Sequence, residues 1–145
     1  MLSHLVGATL IALLLLTQFN STLHAQLAPS QQAQQVSVPP EIRMTIIRTI
    51  GAIPETVDIA LSGSIVTVLR INSNMNQSTH GGRDNEANAI APIVAKALSG
   101  SEKFKNLTTI RVQYVIRSAS GTDTKIVDTV DFRKSPSGVF EFHKT

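Results

Sequence analysis

Residues with the chemistry of an active or binding site gather in one short stretch of the chain. His80-Gly81-Gly82 is followed by Asp84 and Glu86, which brings together a titratable base, a flexible backbone and two carboxylates. If a helix starts here, its free N–H groups would attract an anionic ligand. Alternatively, the acids complement the helix dipole in a solvated loop. We favour the solvated loop, and keep as the alternative a hydrolase-like enzyme that uses residues 72–86 with His80 as its base.

The remaining candidates do not combine into a site. His80 and His143 lack a third metal ligand at a suitable spacing. Asp128 and Asp131 are three residues apart on a predicted strand, so they would point to opposite faces instead of acting as a catalytic pair. No Gly-x-Ser-x-Gly, Ser-x-x-Lys or glycine-rich phosphate motif occurs. The sequence therefore predicts no catalytic residue, no metal ligand and no cofactor, and favours a non-enzymatic module.

A cationic stripe is the other feature that suggests a partner. The formal net charge is +3, and the stripe would lie on the solvent face of a predicted three-strand meander. Such a patch suits an anionic lipid, a glycan or nucleic acid, but no aromatic side chain is available on that face to stack with bases. We therefore do not expect nucleic acid, and we favour a solvated face interrupted by Asp131. The cations are Arg111, Arg117, Lys125 and Arg133.

The first half of the domain is predicted to be a helix and a hairpin. The helix begins at Pro39-Pro40, repeats isoleucine at positions 42, 46 and 50, and stops at Gly51. Two β-rich runs follow, over residues 57–62 and 65–71, joined by Gly63-Ser64 as a two-residue turn. In that register one apolar face is continuous, with Leu61 facing Val66 and Ile59 facing Val68.

A polar segment and a second helix come next. Residues 72–82 have no periodicity and are expected to form a mobile loop in which only Met75 could serve as an anchor. The second helix is expected from about Asp84 to Ser99-Gly100. Pro92 conflicts with this prediction, so the helix either kinks there or starts only near Asn88. Its apolar face would comprise Ala87, Ile90, Ala91, Val94 and Leu98.

Three strands complete the domain. They are predicted at residues 110–117, 126–132 and 139–142, with a turn at Ser135-Pro136-Ser137-Gly138 before the last. Phe140 and Phe142 share one face of that tail strand and are expected in the core. The order α-β-β-α-β-β-β predicts a two-layer α+β sandwich over residues 39–145, with two helices on one face of a mainly antiparallel sheet of about five strands.

The amino terminus predicts export. Residues 5–16 are almost wholly apolar, and Leu23-His24-Ala25 offers a small residue for cleavage, so residues 1–25 are interpreted as a signal peptide with a signal helix. An uncleaved anchor is the alternative. Residues 26–38 contain five glutamines and few large apolar residues, which predicts a flexible leader.

The cysteine content and the order of the elements indicate a cellular location and a related family. The chain has no cysteine, which suits a bacterial periplasmic or extracellular protein without disulfides. From Glu41 to about Ile116 the element order, with its turn at Gly63, resembles the BON domain, a small module of exported bacterial proteins associated with membrane surfaces. The chain departs from that family in its polar loop, in Pro92 and in two extra strands, so no family residue is transferred. We expect an unknown protein or an envelope surface as partner; the oligomeric state is not predicted.

Overall fold

A computed structural model of the 145-residue chain describes residues 37–143. The predicted signal peptide, residues 1–25, and residues 26–36 of the predicted leader lie outside the described residues. The described part has a mixed α+β fold with two helices and a five-stranded sheet, which confirms the predicted fold class at this level. Its main elements are α1 (Pro40–Ile50), β1 (Val57–Ser62), β2 (Ile65–Ile71), α2 (His80–Leu98), β3 (Thr109–Arg117), β4 (Thr124–Lys134) and β5 (Phe140–His143).

Helix α1 has the buried face that its isoleucine spacing predicts. Pro40 opens the first turn, where its missing N–H needs no partner. Ile42, Ile46 and Ile47 are buried against the sheet. The helix ends at Gly51, whose φ of 61° allows its N–H to donate to the carbonyl of Ile47.

The strands lie side by side in chain order, β1-β2-β3-β4-β5. In the β1–β2 hairpin Leu61 pairs with Val66 and Ile59 with Val68, the register that the sequence predicts. Gly63 is the first turn residue and has φ of 57°, a conformation that glycine adopts without steric cost. Strands β2 and β3 pair parallel, with α2 as the crossover between them, and β3, β4 and β5 continue as an antiparallel meander.

A single hydrophobic cluster joins both helices to one face of the sheet. The sheet contributes alternate residues from each central strand, so the opposite face stays outside this cluster. Tyr114 is the largest fully buried side chain. Because the other members are mostly aliphatic, close packing of branched side chains supplies most of the burial. The fully or nearly fully buried sheet members are Val57, Val66, Val68, Ile110, Val112, Tyr114, Val130 and Phe132.

Helix α2 begins earlier than predicted and runs through the proline. The expected start at Asp84 is wrong, because Thr79 caps the helix: its side-chain oxygen accepts from the N–H of Gly82, at 3.1 Å. The late start near Asn88 is also wrong, since the helix is continuous from His80 to Leu98. Pro92 cannot donate a backbone hydrogen bond to the carbonyl of Asn88, and both residues are exposed.

The segment between β2 and α2 is shorter and better anchored than expected. Residues 74–77 form a 3-10 turn. Asn72 donates from Nδ2 to the carbonyl of Arg117, at 3.0 Å, and accepts from the N–H of Arg117, at 2.8 Å. Asn76 donates to the carbonyl of Val115, at 2.8 Å. The prediction that only Met75 could anchor this segment is therefore wrong, because asparagine side chains pair with backbone groups at the end of β3.

The tail strand contributes less to the core than expected. Phe142 is 42% exposed and Phe140 is only partly buried, whereas Phe104 and Phe132 are buried. The reason is the position of β5 at the edge of the sheet, where neither helix covers it fully. The expectation that both rings lie in the core is therefore wrong for Phe142, while Phe140 packs against the core from its edge.

Candidate functional site

An apolar groove of about 780 Å³ lies beside the second half of α2. It forms where α2 packs over β3 and β4 and covers the edge strand β5 only in part. One wall comes from the helix, the other from the 3-10 turn Glu102–Phe104 and the residues that follow it, and the floor comes from β4 and β5. The apolar lining residues are Ala91, Pro92, Ala95, Leu98, Phe104, Leu107, Phe132, Val139, Phe140 and Phe142.

Aromatic rings form the floor of the groove. Phe132 and Phe142 are paired across β4 and β5, with ring centroids 5.9 Å apart and planes at 70°. This edge-to-face contact is the favoured geometry for aromatic pairs. Phe142 is 42% exposed and Val139 is 58% exposed, so the floor continues into an uncovered apolar strip. Apolar surface left exposed beside a groove is typical of a binding surface.

The rim of the groove is cationic. Lys96, Lys105 and Lys134 line it, against a single acid, Glu102. Lys105 lies 3.3 Å from Glu102, but both side chains are highly exposed, so solvent screens this pair. Within residues 37–143, neither Lys96 nor Lys134 forms an ion pair. The groove therefore offers an apolar interior with two ammonium groups available at its edge.

The predicted polar site lies at the other end of α2, where its charged groups contact one another, although Asp84 Oδ1 is buried without a hydrogen-bond partner. His80 Nδ1 is 2.6 Å from Asp128 Oδ2, and Arg83 Nε donates to the same oxygen, also at 2.6 Å. Burial alone would raise the pKa of Asp128, but the hydrogen bonds from Arg83 and His80 outweigh it and hold that pKa below its ordinary value. Asp84 Oδ2 is 3.6 Å from His80 Nε2.

A buried ion pair continues this network into the core. Arg70 is 3% exposed and forms a two-pronged contact with Glu86, with both N···O distances 3.0 Å. Its third nitrogen donates to Thr56. Tyr114 donates from its hydroxyl to the carbonyl of Arg83, at 2.8 Å, and burial together with the nearby Glu86 raises its pKa well above the ordinary range. The network thus ties the start of α2 to β2, β3 and β4.

This arrangement does not complete the enzyme that the sequence allows. A histidine activated for catalysis needs a carboxylate on one nitrogen and a nucleophile, water or substrate on the other. Asp128 supplies the first, but Asp84 faces the second nitrogen of His80. None of His80, Asp84 and Asp128 lines the groove. Across residues 37–143, no three histidine, aspartate or glutamate side chains are arranged so that they could hold a metal ion.

The other candidates are separated by the sheet. Asp131 binds Arg111 through two contacts of 2.8 Å on the face opposite the helices, whereas Asp128 points toward α2. The hydrogen bond from Arg111 holds the pKa of Asp131 below its ordinary value, although burial opposes the shift. His143 is the last residue of β5 and pairs in register with Asp131, whereas His80 contacts Asp128.

The predicted cationic stripe is broken by a β-bulge. Tyr114 pairs with Asp128 but Val115 pairs with Ile126, so Val127 is an extra residue in β4. The alternation of β4 therefore reverses, and Lys125 faces the opposite side from Arg111. The prediction that the four cations share one face is therefore wrong. In addition, Arg111 is paired with Asp131.

Sequence reasoning missed Arg70 and the groove. Arg70 had a visible signal, because it shares the strand face of Val66 and Val68 and therefore points a charge into the core. The groove arises from the width of the sheet relative to two helices, which the pattern along the chain does not encode.

No helix within residues 37–143 is long and apolar enough to cross a membrane. No protein-family model matches this chain, and no curated protein matches it either.

Proposed function

We propose that this protein is an exported, non-enzymatic module that binds an apolar component of the cell envelope, or an apolar segment of a partner protein, in the groove between α2 and β5. The observation that carries the proposal is the groove itself. Its volume of about 780 Å³ falls within the range of about 300–1,000 Å³ that is usual for ligand sites. Its apolar floor and polar rim also match the usual composition of such sites.

A matched pair of variants tests binding in the groove. Ala95 lines the groove, whereas Ala97 is exposed on the same helix and does not line it. We expect Ala95→Phe to fill the groove and remove most of the fluorescence increase of an environment-sensitive apolar dye, while Ala97→Phe leaves it unchanged. Both variants should retain the circular dichroism of the parent. Equal dye binding by Ala95→Phe and the parent would contradict the proposal.

Export is supported by the apolar run at residues 5–16 and the small residue at Ala25. In a suitable bacterium, the secreted or periplasmic protein should begin at or near Gln26. Amino-terminal sequencing that returns Met1 from a membrane fraction would favour an uncleaved anchor.

The hydrolase-like alternative has one observation in its favour, the 2.6 Å contact between His80 and Asp128. It predicts that the parent hydrolyses simple activated esters and that His80→Ala abolishes this activity. The approach of Asp84 to the second nitrogen of His80 favours the binding module instead.

A further inference from the structure

We infer that the ligand of the groove is a single-chain anionic amphiphile, with its alkyl chain between α2 and β5 and its acidic head at the lysine rim. This inference rests on the proposed function and names its ligand class. It is drawn from three features of the groove: its shape, its apolar lining and the sign of its charges.

The lining fits a flexible alkyl chain. The walls are small or branched side chains, Ala91, Ala95 and Leu98, and the floor is the pair of rings Phe132 and Phe142. Among the lining residues from β4 and β5, Lys134 alone is charged, and it is the last residue of β4; the other charged lining residues come from α2 and from the segment after it. An alkyl chain would thus replace water along one continuous apolar surface.

The charges favour an anion. Lys96 and Lys134 are exposed and free of ion pairs in the described part of the chain, and they stand on α2 and on β4 at the edge of the groove. An ammonium group beside an apolar groove gains little from a neutral head but forms a charge-assisted hydrogen bond with a carboxylate or phosphate. Their long side chains can also cover part of the bound chain.

A second copy of the protein fits this groove less well. Most homodimers use one patch on both subunits, so the net positive rims of the two copies would be brought together. Three lysines against one glutamate would then repel across the contact. The same charges favour an anionic ligand over self-association.

The test compares alkanoates with alkanols of equal length, at concentrations below micelle formation. Binding is measured by calorimetry to the exported protein. We expect alkanoates to bind about three- to tenfold more tightly than the matched alkanols, as expected for one or two partly exposed ion pairs. Affinity should rise about fourfold for each added methylene until the groove is full.

Charge variants identify the lysines responsible. Lys96→Gln combined with Lys134→Gln should bring alkanoate affinity down to that of the alkanol and leave alkanol binding unchanged. Lys103→Gln combined with Lys125→Gln is the control, because both lysines are exposed and neither lines the groove. For each variant, the affinity for alkanoates is compared with the affinity of the same variant for alkanols. A difference in melting temperature between the two double variants therefore does not affect the result.

The outcomes separate this inference from the proposed function. Equal affinity for alkanol and alkanoate would overturn the anionic ligand and leave the groove as an apolar site. No binding of either series, together with no effect of Ala95→Phe on dye binding, would overturn both. Sedimentation with phosphatidylglycerol vesicles without binding of monomeric alkanoate would overturn the inference in favour of a membrane surface. A dimer that Ala95→Phe dissociates would overturn it in favour of self-association.

Discussion

The two ends of α2 differ in whether their functional groups already have partners. In the first two turns, His80, Arg83 and Glu86 are bound by Asp128, Asp84 and Arg70. Along the last turns, by contrast, small apolar side chains line an open groove, and two lysines have no acidic partner within residues 37–143. A cluster of chemically active residue types can therefore serve stability, while an ordinary-looking aliphatic stretch supplies the available surface.

Removing one member of the buried ion pair should have one of the two largest effects on stability. Arg70→Ala leaves Glu86 charged, and only 12% of its side chain reaches solvent. We expect the free energy of unfolding to fall by about 3–5 kcal/mol, measured by urea denaturation. The control is Lys105→Ala, which breaks an exposed pair and should cost at most about 1 kcal/mol. Similar losses for the two variants would show that the network is not structurally important.

The two phenylalanine rings on the groove floor should differ in how much they contribute to stability. Phe132 is 4% exposed, so Phe132→Ala should lower the free energy of unfolding by about 3–5 kcal/mol. Phe142 is 42% exposed, so only part of its ring leaves water on folding. Phe142→Ala should therefore lower the free energy of unfolding by about 1 kcal/mol. Thermal and urea unfolding would measure both. A loss for Phe142→Ala as large as that for Phe132→Ala would mean that the tail belongs to the core.

The smallest effect should be a pH dependence at the first turn of α2. The folded-state pKa of Asp128 lies below the ordinary value of 3.8, so its ionised form stabilises the fold above that pH. This contribution is lost as the pH falls through the lower, folded-state pKa. Asp128→Asn should therefore be less stable than the parent at neutral pH, and the difference should shrink below about pH 4.

Asp123 supplies the control for the pH experiment, because it is exposed in the turn before β4. Asp123→Asn should follow the parent at every pH. A constant difference between Asp128→Asn and the parent from neutral to acid pH would contradict the role assigned to its ionisation.

Local patterns in the sequence were sufficient for the hairpin and for the first helix. The turn at Gly63 and the alternation around it set the register, because each is decided by neighbouring residues. The start of α2 was not predicted, since Thr79 acts as a cap only when the following glycines are helical. The partner of His80 was not predicted either, because Asp128 is 48 residues away and reaches it only through the sheet pairing.

The groove was the least predictable part. It depends on how far β5 extends past α2, which results from packing of elements that are distant in the chain. The β-bulge at Val127 had no clear sign among the residues of β4, yet it decides which side Lys125 faces. Whether a helix covers a given strand depends on how many helices and strands pack together in the fold. The pattern of residues along the chain does not predict this number.

The parallel pairing of β2 with β3 has a consequence for how the protein folds. Every other strand pair in the described sheet joins neighbours across a short turn, whereas Thr108 meets Ser64 from 44 residues away. Loop-closure entropy opposes this contact until α2 has formed and docked. We therefore expect residues 40–71 and 109–143 to gain local structure first, and the joining of β2 to β3 to limit the folding rate.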